Sequence, residues 1–361
     1  MRPYSVEIYS PDFQLKQHYN SGEISYKYDY LSMVENSISI KYDQNVTQGD
    51  YIWITRGDRR YFGIIKSITV GQQTNATSQL RYVPFESIFD RDIMFDTDLQ
   101  GSGSLLEQVI ADTIKAYWVT NEDKVQNVLG LKIETISATK DWGFHITSDV
   151  AGLHKAIISF SNSIIRRAMT KYQIGLYVEP DFEKKEITVK IGKKSTEKFC
   201  IEADLPNVFK KSIVLDEKTQ DTNKLVIYDN KNLEDMITYY RHPDKSFDTV
   251  DKDRITPVVY DIVSVTVQQD QTFQQAAAQY AAKSFDRESF RNLIELTVLN
   301  DDKLANPASL IIGQEVSVIS NGAEYASILT GRDVGDVTKL IFGTIRLDLT
   351  KILKGEKRNG K

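Results

Sequence analysis

Four histidines and one cysteine limit the chemistry open to this 361-residue chain. His18, His145, His154 and His242 are scattered. No two have the HxH or HxxxH spacing that puts metal ligands on one strand or one helix face, so a zinc site would need partners from distant elements. Cys200 stands alone, which excludes an internal disulfide framework and a cysteine-based cluster. Asp90, Asp92, Asp96 and Asp98 are hard oxygen donors at close spacing, as in calcium sites. The residues between them include Ile93, Met94 and Phe95, and no helix–loop–helix calcium pattern surrounds them. The reading is an acidic linker without a metal. Glu234-Asp235 and Asp301-Asp302 read as turns. Acids for glycosidic cleavage cannot be paired by spacing, because they come from separate elements. No Ser-His-Asp ordering stands out. Residues 191–196 (IGKKST) resemble the end of a phosphate-binding loop, but Ile187 replaces the required glycine and EITVKI reads as a hairpin strand. No catalytic, cofactor or metal residue is assigned, and no cofactor is expected.

Cationic side chains cluster in two places. Arg56, Arg59 and Arg60 lie in a hairpin turn, and Lys351, Lys354, Lys357, Arg358 and Lys361 lie near the end. They are either solvated loops or tips that meet an acidic partner ring. The net charge of −5 argues against a general nucleic-acid binder. At 41% hydrophobic and 26% charged, the composition is that of an ordinary soluble protein. No apolar run reaches the ~18–20 residues of a membrane span. MRPYSVEIYSPDF has no apolar signal core, so synthesis and folding in a cytoplasm are expected.

The elements that would position these residues are mainly strands. VEIYS, SISIKY, YIWIT, FGIIKSITV and QLRYVPF are rich in Ile, Val, Tyr and Phe and are separated by turn signals. This predicts a first antiparallel β-barrel domain over residues 1–98. Gly101-Ser102-Gly103-Ser104 reads as a hinge, and Ser104 with Glu107 as a capping box opening a helix. A second helix is predicted over residues 150–169, from the stripe Val150, Leu153, Ile157, Phe160, Ile164 and Ala168. Two strands follow, IGLYVEP and EITVKI, with the acidic turn Asp181-Phe182-Glu183 between them. Residues 99–205 thus form an expected α+β domain. Strands return over residues 206–346, a second β-barrel domain with an inserted helix near 271–288, capped by Thr272 and Gln275. Residues 347–361 form a basic tail.

The most informative pattern is an internal repeat. Residues 49–65 (GDYIWITRGDRRYFGII) align without a gap on residues 313–329 (GQEVSVISNGAEYASIL). Gly49 meets Gly313, Ile52 meets Val316, Ile54 meets Val318, Tyr61 meets Tyr325 and Ile65 meets Leu329. Each copy reads as strand, polar turn and returning strand, with an alternating strand before it (SISIKY and LIELTV). A duplicated barrel changes symmetry: three chains would present six similar barrels and could cap a hexameric ring.

The chain resembles the central baseplate-hub or tail-tip hub proteins of tailed bacteriophages, prophages and phage-tail-like particles. The resemblance is carried by YSPDFQLKQHYNSGEISYKYDYL, by residues 49–65 and by GQEVSVISNGAEYASILTGRDVGDVTKLIFGTIRLDLTKILKG. It implies an α+β, mainly β fold, with two tube-like antiparallel barrels and α+β domains between and around them. It implies a homotrimer of pseudo-sixfold symmetry beneath a distal-tail or tail-tube ring. It also implies contacts with the tape-measure protein and a receptor-binding or tail-fibre protein, and a channel through which DNA passes. Some relatives carry C-terminal hydrolase or host-binding modules; here none is expected after the second barrel. The interaction candidates are Arg56, Arg59, Arg60, Gly49, Tyr61, Gly313 and Tyr325. The expected role is structural, at the virion tail tip, not enzymatic. The alternatives are a cell-wall hydrolase, or a tail protein that binds a host receptor or carbohydrate.

Overall fold

A computed structural model describes residues 3–21, 24–29, 34–41, 44–57, 59–70, 77–99, 103–140, 142, 154–193, 198–215, 223–243, 246–252, 258, 260–265, 267, 271–285 and 292–343. The expected hinge residues Gly101 and Ser102, His145, residues 194–196 of the IGKKST turn and the basic tail lie outside them.

The fold is α+β and mainly β, with 51% of the described residues in strands and two curled half-barrel sheets. The chain opens with β1 (Tyr4–Tyr9), β2 (Leu15–Ser21), β3 (Tyr26–Asp29), β4 (Asn36–Lys41), β5 (Tyr51–Arg56), β6 (Arg59–Val70), β7 (Thr77–Pro84) and β8 (Asp92–Asp96). It continues through α1 (Leu106–Trp118), β9 (Leu131–Thr135), β10 (Lys155–Ser159), α2 (Arg166–Tyr172), β11 (Gly175–Asp181), β12 (Glu186–Gly192), β13 (Phe199–Glu202) and β14 (Val208–Val214). Then come β15 (Lys224–Asp229), β16 (Met236–Arg241), β17 (Phe247–Asp248), β18 (Tyr260–Val265) and α3 (Phe273–Phe285). The last strands are β19 (Leu293–Leu299), β20 (Glu315–Ser320), β21 (Ala323–Val334) and β22 (Val337–Gly343).

Two compact units divide the chain: Met1–Leu215 with Asn292–Lys361, and Asp216–Arg291. The first unit holds both large sheets, in the orders β2-β1-β5-β6-β7-β4 and β13-β20-β21-β22-β19-β14. Alternation sets their faces. In β4 the side chains alternate buried and exposed, which sends Ile38 and Ile40 to the core and Ser37 and Ser39 to water. The first core gathers Val6, Ile8, Ile52, Ile54, Tyr61, Ile65, Leu80 and Tyr82. It also takes in Tyr26 of β3 and Val334 of β21. The two sheets therefore share packing where β3 pairs antiparallel with β21, Tyr28 opposite Arg332.

The α+β layer packs on the outside of the first sheet. Its sheet is β11-β12-β9, with β12 and β9 parallel. The acidic turn after β11 carries Phe182 into a nest of rings. Phe182 stacks on Tyr9 at 3.8 Å between centroids and meets Phe13, Trp53 and Phe62 at 6.0–6.3 Å. Burial of apolar ring surface at a turn tip is what ties this layer to the barrel.

Two local expectations change. The stripe over residues 150–169 predicts one helix, but residues 155–159 form β10, antiparallel to β8, and the helical part is a π turn at Ser161–Ile165 running into α2. Ile157 and Ile158 are β-branched, and pairing with Met94 and Ile93 across β8 outweighs a 3–4 spacing. The capping box at Ser104 and Glu107 does not form. Glu107 is buried and accepts hydrogen bonds from Ser137 Oγ (2.6 Å), Thr139 N (2.7 Å) and Thr139 Oγ1 (2.9 Å) instead. It tethers the loop after β9 to α1.

The second unit is a four-stranded sheet, β17-β16-β15-β18, with α3 on one face. Leu225, Ile227, Ala277, Ala281 and Phe285 make its core. Here the expected capping box is present: Gln275 N donates to Thr272 Oγ1 (3.2 Å) and Thr272 N donates to Gln275 Oε1 (3.0 Å). His242 is buried, with Nδ1 3.1 Å from the Lys252 carbonyl and Nε2 3.0 Å from Asp248 Oδ1.

Candidate functional site

The repeat is the feature to which the sequence assigns function, and it is built from a tight turn upward. At residues 47–50, Asp50 N donates to Thr47 O at 3.3 Å, and Gly49 has φ +93°. At residues 311–314, Gln314 N donates to Ile311 O at 2.9 Å, and Gly313 has φ +88°. A four-residue turn with positive φ at its third position calls for glycine there, because a Cβ is strained in that region. Each turn is closed by the side chain that follows the glycine. Asp50 Oδ2 accepts from Thr47 N at 2.7 Å, and Gln314 Oε1 accepts from Ile311 N at 3.1 Å.

From that turn both hairpins run in one register. Gly49 N donates to Ile65 O (2.9 Å) and Ile65 N to Asp50 O (2.9 Å). Gly313 N donates to Leu329 O (2.7 Å) and Leu329 N to Gln314 O (3.0 Å). Tyr51 faces Ile64 as Glu315 faces Ile328, Ile54 faces Tyr61 as Val318 faces Tyr325, and Arg56 faces Arg59 as Ser320 faces Ala323. A bulge between Ile65 and Ser67 on β6 recurs between Leu329 and Gly331 on β21. The likeness extends beyond the aligned segment. Ile38 pairs with Leu80 as Leu296 pairs with Leu340, so four strands, β4-β7-β6-β5 and β19-β22-β21-β20, share pairing and irregularity. A common bulge is a specific mark, since it re-aims the strand at one position only. The sheets differ at the next strand. β1 joins β5 antiparallel, whereas β13 joins β20 parallel.

The structure separates the candidate residues by environment. Tyr61 is a core residue under Tyr26, Tyr28 and Tyr82, with ring centroids at 5.1, 6.0 and 5.3 Å, and its hydroxyl accepts from Asn36 Nδ2 at 3.1 Å. Tyr325 has the same register but is half-buried, and among the described residues no ring packs on it. β3 supplies the covering tyrosines only to the first sheet. The arginines also part. The Arg56 guanidinium lies over the Tyr4 ring, 4.6 Å from its centroid. Arg59 Nη2 donates to the Asn300 carbonyl at the end of β19, which joins the first hairpin tip to the second sheet. Arg60 is exposed and makes no hydrogen bond or ion pair among the described residues.

Sequence reasoning missed Asp50, Lys16 and Glu86. Asp50 has no exposed surface and also binds Lys16 Nζ at 2.8 Å. A charged residue directly after a turn glycine, matched by Gln314, was the available signal. Glu86 follows β7 and is buried; Tyr28 Oη donates to its Oε1, while Oε2 has no hydrogen-bond partner among the described residues. Desolvation pushes its carboxyl up to about 7, against a smaller lowering by the Tyr28 bond. Nothing local marks a buried glutamate whose partner lies 58 positions away.

The remaining polar candidates do not converge. Asp92 and Asp96 lie on β8, Asp98 Oδ1 meets His154 Nδ1 at 2.8 Å, and Asp90 accepts from Ser161 Oγ. His18 sits on β2, with Nε2 3.1 Å from Ser5 Oγ. Among the described residues no group of three histidine, cysteine or acidic side chains is placed to hold a metal. No helix among them is long and apolar enough to cross a membrane.

No family model matches this chain, and no curated protein sequence does. Solved structures do match. The fold is similar to that of the tail protein from Neisseria meningitidis MC58, with a TM-score of 0.50 at 14% identity over 94% of this chain and 96% of that one. It is similar to the 43 kDa tail protein of prophage MuSo2 from Shewanella oneidensis, with a TM-score of 0.51 at 14% identity over 94% and 97%. It is similar to a chain of the phage P2 baseplate in its activated conformation with calcium, with a TM-score of 0.52 at 10% identity over 94% and 98%. The chain therefore has the fold of phage tail and baseplate hub proteins, as its sequence pattern implies.

Proposed function

We propose that this chain is a structural component of a phage, prophage or phage-tail-like tail tip, and that it acts as the hub of the baseplate. The observation that carries the reading is the repeated four-stranded sheet, with one turn, one register and one bulge in both copies. Two such sheets per chain supply six similar surfaces from a homotrimer, which matches threefold symmetry to a sixfold tail-tube or distal-tail ring. In this reading the turns at Gly49 and Gly313 hold equivalent positions around a channel that DNA and the tape-measure protein traverse. A receptor-binding or tail-fibre protein attaches outside the ring. The names of the similar structures, tail proteins and a baseplate, support the tail setting. No catalytic step is part of this role.

Light scattering on the purified chain, alone and with its neighbouring ring protein, tests the assembly. The expected mass is near three times the 41.2 kDa of one chain. A mass that stays at one chain under both conditions contradicts the reading.

A further inference from the structure

Three arginines face one cavity in the first unit. The cavity measures about 230 Å³ and is lined by Arg59 and Arg60 of β6, Arg332 of β21, and Pro307, Leu310 and Ile312 of the β19–β20 connection, among others. Among the described residues its one lining carboxylate is Glu179, which Lys190 Nζ already holds at 2.6 Å. Among the described residues, no carboxylate lies within ion-pair distance of any of the three guanidinium groups. Arg59 spends one nitrogen on the Asn300 carbonyl, and Arg332 Nη1 donates to Pro307 O at 2.9 Å. Arg332 Nε is buried and has no hydrogen-bond partner among the described residues. Carbonyl oxygens carry partial charge and leave the cationic charge uncompensated. Desolvation lowers the Arg332 pKa, and the charge on Arg59 lowers it further. In a chain of net charge −5, three arginines on one cavity are a local feature, not a consequence of composition; Arg60 also lines the adjoining cavity, which holds Glu86, Asp181 and Glu186.

Nearby acids do not neutralise it. Glu86 lies in the adjoining cavity of about 360 Å³ and is bound to Tyr28. Asp181 and Glu186, in the same adjoining cavity, are paired with Lys184 and Lys132. We propose that the Arg59–Arg60–Arg332 cavity binds a phosphate-type oxyanion. Planar guanidinium forks match the oxygens of a tetrahedral anion, and in a partly enclosed site each charge-assisted bond is stronger than in water. Arg60 supplies the group that is free to turn inward. Arg59 and Arg332, anchored on carbonyls of the β19–β20 connection, supply the fixed side. A bound oxyanion would bridge β6 and β21, and so reinforce the joint between the two repeated sheets.

The test is calorimetric titration of the full chain with inorganic phosphate, in chloride buffer of matched ionic strength, on the wild type and on Arg60→Gln. Arg60 is exposed, so the variant is expected to unfold at the wild-type temperature in chloride alone. Saturable binding by the wild type, weakened about tenfold or more in R60Q, is expected for the loss of one charge-assisted contact. A short single-stranded oligonucleotide serves as the second ligand. It separates binding of free phosphate from binding of the phosphodiester backbone of a nucleic acid. No saturable heat with phosphate, equal affinity in R60Q, or binding of the oligonucleotide alone would overturn the proposal.

Discussion

Asp50 and Gln314, 264 positions apart, each follow a positive-φ glycine and each accept a hydrogen bond from the backbone three residues earlier. A carboxylate and an amide thus close the same turn at the head of the same strand pair. Only Asp50 has a cation, Lys16, as a further partner. The geometry of the repeat is shared, while its electrostatics differ between copies.

That difference predicts unequal costs. Asp50→Ala leaves a buried turn amide and the Lys16 ammonium without their acceptor, and is expected to cost about 2–3 kcal/mol. Gln314→Ala removes one neutral hydrogen bond and is expected to cost about 1 kcal/mol. Gly49→Ala should cost about 1–3 kcal/mol for backbone strain alone, and Gly313→Ala somewhat more, because its Cβ would also lie 3.1 Å from Met169 Cε. Urea unfolding midpoints of the four variants check this order.

Glu86 predicts a specific pH dependence. Its folded pKa, about 7, lies well above the ordinary value of a glutamate carboxyl, so the folded state holds the proton more tightly. Stability from this group is full below the unfolded value and falls as pH rises through about 7, by roughly 3 kcal/mol in total. The lowered carboxyls act in the opposite sense and further down the scale. The Asp204 carboxyl is held below its usual range by Lys211, the Asn321 N–H and Ser320, and loses its contribution as pH falls. Glu86→Gln is expected to flatten the stability curve between pH 5 and 7, and to be more stable than wild type above it. Unfolding midpoints across pH 5–8 check this, and equal slopes in both proteins would rule it out.

Phe182→Ala removes the ring that joins the β11–β12 turn to Tyr9, Trp53 and Phe62. Since Phe182 is half-buried, a cost of about 2 kcal/mol is expected. Trp53 emission should shift to the red, and amides of β11 and β12 should exchange faster than those of β5.

Much of this arrangement was legible where periodicity is local. SISIKY declares β4 by strict alternation, and Thr272 with Gln275 declares the start of α3 by a reciprocal cap. The repeat was legible because turn glycines and alternate aliphatics recur at fixed spacing. The contacts that close the structure were not. Arg59 meets Asn300 across 241 positions, Phe182 finds its rings through tertiary packing, and β3 pairs with β21 from the far end of the chain. Residues 155–159 show the limit of periodicity itself, since Ile157 fits both a helical stripe and a paired strand until β8 supplies the partner.

In the second unit, His242→Ala removes two contacts, to the Lys252 carbonyl and to Asp248. A loss of about 1–3 kcal/mol, confined to this unit, is expected. Hydrogen exchange should rise at residues 246–252 and stay unchanged in β4–β7. Uniform acceleration in both units would contradict that local role.

The central claim is that the two repeated sheets occupy equivalent places in one ring. Electron cryomicroscopy of the assembled tail tip tests it most directly. The account predicts six four-stranded sheets around the axis, alternating between the Gly49 and Gly313 copies at one radius and roughly 60° apart. Sheets at different radii, or a ring that contains only one of the two copies, would contradict it.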